Sequence, residues 1–110
     1  MVYGGTSGGV AAAVQAARLG KRAVLLCTDN HLGGLSSGGL GWTDIGSNGG
    51  GYIGGVALEF YRRNGARYNQ GVRWNLEPHV AEQIFAEMLA EAGVPVAFNQ
   101  RLAAMQKSGP

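Results

Sequence analysis

The apolar positions of this chain change period several times, and the changes mark its elements. Val2-Tyr3, ahead of a glycine-rich turn, reads as the stump of a first strand. From Gly9 to Leu19 alanines recur with Val10, Val14 and Leu19, a run of good helix formers with a thin apolar face. Gly20 follows where a helix commonly ends in a left-handed residue. Ala23 to Leu26 is a continuous short apolar run after a basic pair, the pattern of a strand buried on both faces. Strand, glycine turn, helix and strand together predict a βαβ unit with a parallel pair.

The pattern then loosens. Thr28 to Gly54 is glycine, serine and asparagine with few apolar residues, and predicts a loop long enough to be functional. Gly55 to Tyr68 regains helical spacing through Val56, Phe60 and Tyr61, and Asn69 to Asn75 reads as loop. From Pro78 an amphipathic helix runs to Ala92. Val80, Ile84, Phe85, Met88 and Leu89 share one face, and Glu82, Gln83, Glu87 and Glu91 the other. Pro78 suits the first helical position, Glu77 sets negative charge at the helix's positive end, and Gly93 ends it. Val94 to Phe98 predicts a third strand, and Gln100 to Met105 the start of a fourth. No internal repeat is present. The fold class is therefore α/β: one partial domain over residues 1–110, a parallel sheet with a long glycine-rich insertion between its second strand and later helices.

Composition sharpens this picture at one point. Glycine supplies 20 of 110 residues, with only 3 prolines, and eleven of the glycines fall between Gly33 and Gly55. Such clustering between periodic segments marks special backbone geometry rather than a disordered chain. Charge is sparse, 15% of residues with a net +2, and the cluster Arg62, Arg63, Arg67 and Arg73 is too small for the basic stripe of a nucleic-acid binder. It reads as a solvated helix face. A single cysteine excludes an internal disulfide and a CxxC metal site. His31 and His79 form no ligand cluster, so no metal is expected. No apolar run approaches the roughly 20 residues of a membrane span, and no signal peptide is readable. Localisation stays open.

The opening turn carries the chemistry. A chain leaving a buried strand for a helix exposes N–H groups without partners, and these with the helix dipole make an anion site. In the fingerprint G-x-G-x-x-G the first glycine makes the turn, the second admits a diphosphate and the third lets helix and strand pack closely. Here Gly4 takes the first role and Gly9 the third, while Thr6 replaces the middle glycine and Gly5 and Gly8 are additional. The threonine hydroxyl remains able to donate to a phosphate oxygen. At the end of the second strand a carboxylate usually accepts from ribose hydroxyls, but this chain has Cys27. Either Asp29 takes that contact or the contact is lost. Cys27 itself reads as a small buried hydrophobe.

"VYGGTSGGVAAAVQAARLGKRAVLL", then "HLGGLSSGGLGWTD", then "EPHVAEQIFAEMLAEAGVPV", together resemble the FAD-dependent oxidoreductase family of the two-dinucleotide-binding-domain flavoprotein type. The likeness covers roughly residues 2 to 105. It implies a Rossmann-like FAD-binding unit, FAD as cofactor and a small-molecule substrate, with no nucleic-acid or membrane partner. It also implies a longer first strand and a C-terminal remainder, so the chain reads as an N-terminal piece that turns nothing over alone. By the resemblance Gly4, Gly5, Thr6, Ser7, Gly8 and Gly9 would hold the FAD diphosphate, and Cys27 and Thr28 would lie beside the adenosine ribose. His31, Leu32, Gly33, Gly34, Ser36, Ser37, Gly38 and Gly39 would run along the cofactor toward its flavin ring. Leu102 would offer main-chain contact to adenine. Relatives usually carry glutamate where this chain has Cys27.

Other readings stand beside these. His31 also fits a loop histidine bonded to backbone. Trp42, Thr43 and Asp44 are placed to approach a flavin, and Asp44 equally to cap the next turn. Tyr52, Tyr61, Tyr68 and Trp74 read as packing residues, and no catalytic residue is assigned. An NAD(P) enzyme of the same fold predicts an acid or basic pair in place of "CTDN" and gives no reason for "HLGGLSSGG". A vestigial nucleotide-binding module fits the degenerate Thr6 and the missing acid.

Overall fold

The computed structural model describes residues 1–45 and 49–109. Strands β1 (Val2–Tyr3), β2 (Leu25–Leu26) and β3 (Val96–Ala97) form a parallel sheet in the order β1-β2-β3. Val2 and Tyr3 pair with Leu25 and Leu26, which pair in turn with Val96 and Ala97. Helix α1 (Ser7–Arg18) crosses from β1 to β2, and α2 (Gly55–Ala66) and α3 (Pro78–Glu91) precede β3. Right-handed crossovers place both connections on one face of the sheet. There α1 packs on β1 and β2 and meets both α2 and α3. Backbone pairing continues past the strands toward their carboxyl ends. Gly4 N–H donates to Leu26 O at 2.8 Å, Cys27 N–H to Ala97 O at 2.8 Å, and Gln100 N–H to Cys27 O at 2.8 Å. The edge from which the connections leave is thereby held in register.

The core is the meeting of three helical stripes with Leu25. Val10, Ala13 and Val14 of α1 and Ala81, Ile84, Met88 and Leu89 of α3 are buried around it. Phe60 of α2 stacks on Phe85 of α3 with ring centroids 4.2 Å apart and planes 7° apart, which adds geometric preference to the area buried. Asn64 is fully buried. Its Nδ2 donates to Arg73 O at 2.9 Å and Asn75 O at 2.8 Å, pinning the segment that follows α2.

A charged network ties the outer ends of the helices. Arg18 donates to both Glu59 carboxylate oxygens, at 2.5 and 2.8 Å. Arg63 bridges Glu59 at 2.8 Å and Glu91 at 2.5 Å, so α1, α2 and α3 share one chain of ion pairs. Arg67 pairs with Glu87, and the Arg73 guanidinium lies 3.6 Å over the Tyr68 ring. The arginine cluster is thus largely neutralised by partners rather than a solvated face; only Arg62 of the four stands exposed without such a partner among the described residues.

Other departures from the sequence pattern have local causes. Helix α1 starts at Ser7, two residues before the predicted Gly9, because Thr6 caps it: Thr6 Oγ1 accepts the Gly9 N–H at 3.1 Å. Gly20 and Gly93 take the expected left-handed conformation, at φ +75° and +66°. Leu25 is fully buried, but Leu26 is half-buried and Tyr3 is 46% exposed, so the described helices cover one sheet face, not both. Residues 100–105 form no fourth strand and are exposed. Gln100 N–H still reaches Cys27 O, but beyond it the Leu102 N–H donates to the Tyr3 hydroxyl at 3.2 Å. Tyr61, Tyr68 and Trp74 pack, whereas Tyr52 is 90% exposed. The predicted loop from Thr28 to Gly54 contains two short 3₁₀ turns, Gly34–Ser36 and Gly49–Tyr52; its residues 46–48 lie outside the described residues.

The ion-pair network makes acid stability testable. Arg18, with Arg63 beside it, lowers Glu59 from the ordinary 4.5 to about 2. The unfolded chain therefore binds more protons than the folded one between these values, and stability is lost as pH falls through that window. Partial exposure screens the pair and leaves a contribution of about 1–2 kcal/mol. Denaturant titrations from pH 6 to pH 2.5 should show this loss, and Glu59→Gln should start less stable at pH 6 and vary less with pH.

Candidate functional site

A cleft of about 550 Å³ opens at the carboxyl edge of the sheet, over the N-terminus of α1. Gly4, Gly5 and Thr6 form its floor. Thr28, Asp29 and His31 line one end, and Gly34, Ser37, Gly38 and Gly39 the other. Pro78, His79 and Glu82 of α3 complete the wall.

Two glycines set the geometry of this turn. Gly4 has φ +113°, a conformation that L side chains rarely adopt, and a Cβ there would meet no atom within 4 Å. The turn is therefore bare where it faces the cleft. Gly9 does the opposite: a Cβ there would lie 2.0 Å from Gly4 O and 3.6 Å from Leu25 Cδ1. Glycine at this position lets α1 seat directly on the end of β1. Once Thr6 has satisfied the Gly9 amide, the amides of Ser7 and Gly8 still have no carbonyl within the helix to bond. They lie at the positive end of the helix dipole. As the acceptor in its cap bond, the Thr6 hydroxyl keeps its own proton for a further acceptor.

The glycine-rich insertion is bonded to this floor. Gly33 N–H donates to Gly5 O at 2.7 Å, and Thr6 and Gly33 form an isolated parallel bridge. Ser37 Oγ donates to Leu32 O, closing the 3₁₀ turn over the bridge. The diphosphate-type turn and the segment His31–Gly39 thereby become adjacent walls of one cleft.

The remaining sequence-predicted site residues fall elsewhere. Ser7, Gly8 and Ser36 line a neighbouring pocket of about 250 Å³ floored by Phe60, Phe85 and Met88. Leu32 is buried in the core, and Gly33 sits against Phe85 and Ser37. Leu102 is exposed beside Tyr3 and does not line the cleft. Cys27 is fully buried, with its Sγ 2.5 Å from where a Gly5 Cβ would stand. Burial, and then the charge of Asp29, push its thiol pKa up, which matches a packing residue rather than a nucleophile. Asp29, two residues on, lines the cleft, and its Oδ1 accepts the His31 N–H at 3.0 Å. The His31 ring meets a carboxylate, not backbone: Nδ1 is 3.1 Å from Glu82 Oε1. Beyond Gly39, Thr43 Oγ1 donates to Trp74 O at 2.9 Å and lies 2.9 Å from the Tyr61 hydroxyl, while Trp42 is 64% exposed. The segment after Asp44 that it is expected to cap, residues 46–48, lies outside the described residues.

Sequence reasoning missed Pro78, His79 and Glu82 as cleft residues. The signal was present in the topology. A helix feeding a parallel strand starts at the sheet's carboxyl edge, where α/β folds bind ligands, so the first turns of α3 had to lie near the first turn of α1.

A parallel α/β unit with a side-chain-free turn opening onto the N-terminus of its first helix is a nucleotide-binding module. Among the described residues no group of three or more His, Cys, Asp or Glu could hold a metal ion, and no helix is long and apolar enough to cross a membrane. The family model for FAD dependent oxidoreductase matches residues 1–110, and the chain belongs to that family. Its cofactor is FAD. No curated protein matches the chain.

The contact between Gly5 and Cys27 yields a mutational cycle. Gly5→Ala should destabilise the fold by about 1–3 kcal/mol through overpacking on the thiol. In a Cys27→Ala background the same change should cost at least about 0.5 kcal/mol less, measured by urea unfolding of all four proteins. The native thiol should resist alkylation at pH 8 and react fully once the chain is unfolded.

Proposed function

We propose that the cleft holds FAD along its length and serves an oxidoreductase that moves a hydride or electrons between a small-molecule substrate and the flavin. The bare turn at Gly4, facing the open cleft, carries the reading. Gly4, Gly5 and Thr6, with the first amides of α1, would take the diphosphate, because an anion needs unobstructed N–H groups and gains from the helix dipole. Thr28 and Asp29 would take the adenosine ribose. Cys27 is too deeply buried to do so, and Asp29 is the carboxylate available in its stead. Gly34, Ser37, Gly38 and Gly39 would follow the cofactor toward its flavin end at close approach; the Ser37 and Gly38 N–H groups and the Ser37 hydroxyl proton are bonded within the turn, so Ser37 Oγ would serve as an acceptor. Bound flavin supplies the redox chemistry; the protein's part is binding, orientation and electrostatics. Ser7, Gly8 and Ser36 would act from the edge of the adjoining pocket, and Leu102 from beyond the cleft.

The burial of Cys27 also favours a second reading, a vestigial module in which the ribose contact is gone and nucleotide binds weakly. FAD titration separates the two. The chain should quench FAD fluorescence saturably and show a shifted flavin absorbance that is released on denaturation. Asp29→Ala should weaken uptake about tenfold, the loss expected for a charge-assisted hydrogen bond. Uptake that is weak in the wild type and indifferent to Asp29→Ala would favour the vestigial module.

A further inference from the structure

One carboxylate on the face of α3 opposite its apolar stripe is built into the cleft wall. Glu82 Oε1 accepts the Leu32 backbone N–H at 2.9 Å, and both carboxylate oxygens lie within reach of His31 Nδ1, at 3.1 and 3.2 Å. The partners stand 50 and 51 residues apart in the chain. The other paired glutamates of α3 serve differently. Glu87 and Glu91 join α3 to arginines of the α2 region and touch no part of the cleft. On the opposite side of the same corner, Asp29 Oδ1 accepts the His31 backbone N–H. The corner His31–Leu32 is therefore held between two carboxylates. The next residue, Gly33, forms the bridge to Thr6, and Gly34 lines the cleft.

We infer that Glu82 is a positioning residue for the cofactor cleft: it anchors the His31–Leu32 corner to α3 and so holds the glycine-rich wall against the diphosphate turn. The inference rests on the reading of the cleft as the FAD site. Its physical basis is entropy. Gly33 and Gly34 take φ +100° and +55°, and glycine backbone is costly to order. A wall ordered before binding spares the ligand that cost. Nothing else from α3 bonds this corner among the described residues. A proton on Nδ1 would let the ring donate to the carboxylate it faces, and the His31 side chain is 71% exposed.

The test compares the wild-type chain with Glu82→Ala, Glu82→Gln and the control Glu87→Ala. FAD affinity is read by fluorescence, and the Leu32 amide and His31 ring nitrogens by NMR without FAD. Glu82→Ala should bind FAD about tenfold more weakly, exchange its Leu32 amide at least about tenfold faster and lose the Nδ1–H tautomer. Glu82→Gln keeps an acceptor for the Leu32 N–H and should recover most of the affinity. Glu87→Ala should bind as the wild type does. Unchanged Leu32 exchange in Glu82→Ala overturns the inference whatever FAD does. Unchanged FAD affinity in Glu82→Ala, or an equal loss in Glu87→Ala, overturns it while leaving the cofactor reading intact. A wild-type chain that takes up no FAD removes the cofactor reading itself, and the positioning role with it.

Discussion

The structure turns on how closely α1 approaches the end of β1. With no side chain at Gly9, the helix backbone reaches to where a Cβ would lie 2.0 Å from the Gly4 carbonyl. That approach fixes the helix axis over Leu25 and aims its N-terminus at the sheet's carboxyl edge. The Thr6 cap then settles which amides are spent inside the protein and which remain for a ligand. A methyl group at Gly9 would push the helix outward and disturb packing and site together, since one contact governs both. The fold is economical in this sense: the interaction that lets a short, three-stranded sheet hold a helix also leaves the turn above it bare.

The second constraint is the docking of the glycine-rich insertion. Without the Gly5–Gly33 hydrogen bond and the Thr6–Gly33 bridge, the turn would be an isolated anion site of the size of a phosphate. With them, it becomes part of a trough that Asp29 and Gly39 also line. The walls of that trough are largely backbone. Backbone does not change with rotamer, and here it is held by its own bonds: the N–H groups of His31, Leu32, Gly33, Ser36, Ser37 and Gly38 all donate within the protein, which fixes the shape of the wall. Among the side chains that line the trough, Thr6, Asp29, Ser37 and Glu82 are bonded to the main chain, and so enter the site pre-oriented.

Much of this was legible in the sequence because it depends on local pattern. The βαβ order, the helix ends at Gly20 and Gly93, the apolar stripe of α3 and the role of Gly4 and Gly9 all follow from spacing and residue type. What was not legible depends on which distant segments meet. Ser7 and Gly8 have low helix propensity, so the pattern set the helix start late; a capping threonine was the overlooked cue. The glutamates of α3 read as one polar face, yet they divide between helix-to-helix ion pairs and an anchor on the cleft corner. Periodicity reports that a residue faces away from the core and says nothing of what arrives to meet it. The second face of β2 was misread for a related reason: an apolar run records what a strand is suited to, and the described helices cover only one side.

Cys27 at the end of β2 shows how packing bears on the cleft beside it. A carboxylate at residue 27 would have to point outward to reach a ribose, since burying it unpaired is costly. A cysteine has no such need. It turns inward, fills the space under Gly5 and tightens the joint between β2 and the glycine turn. The chain bends after Cys27, so Asp29, two residues further along, stands exposed in the cleft while Cys27 stays inside. Asp29 is already bonded to the corner that Glu82 holds from α3. If Asp29 takes the ribose as proposed, ribose recognition and the position of the glycine-rich wall would share that residue. The negative charge at this end of the cleft therefore sits on Asp29, where the loop geometry, rather than the sheet, determines its aim.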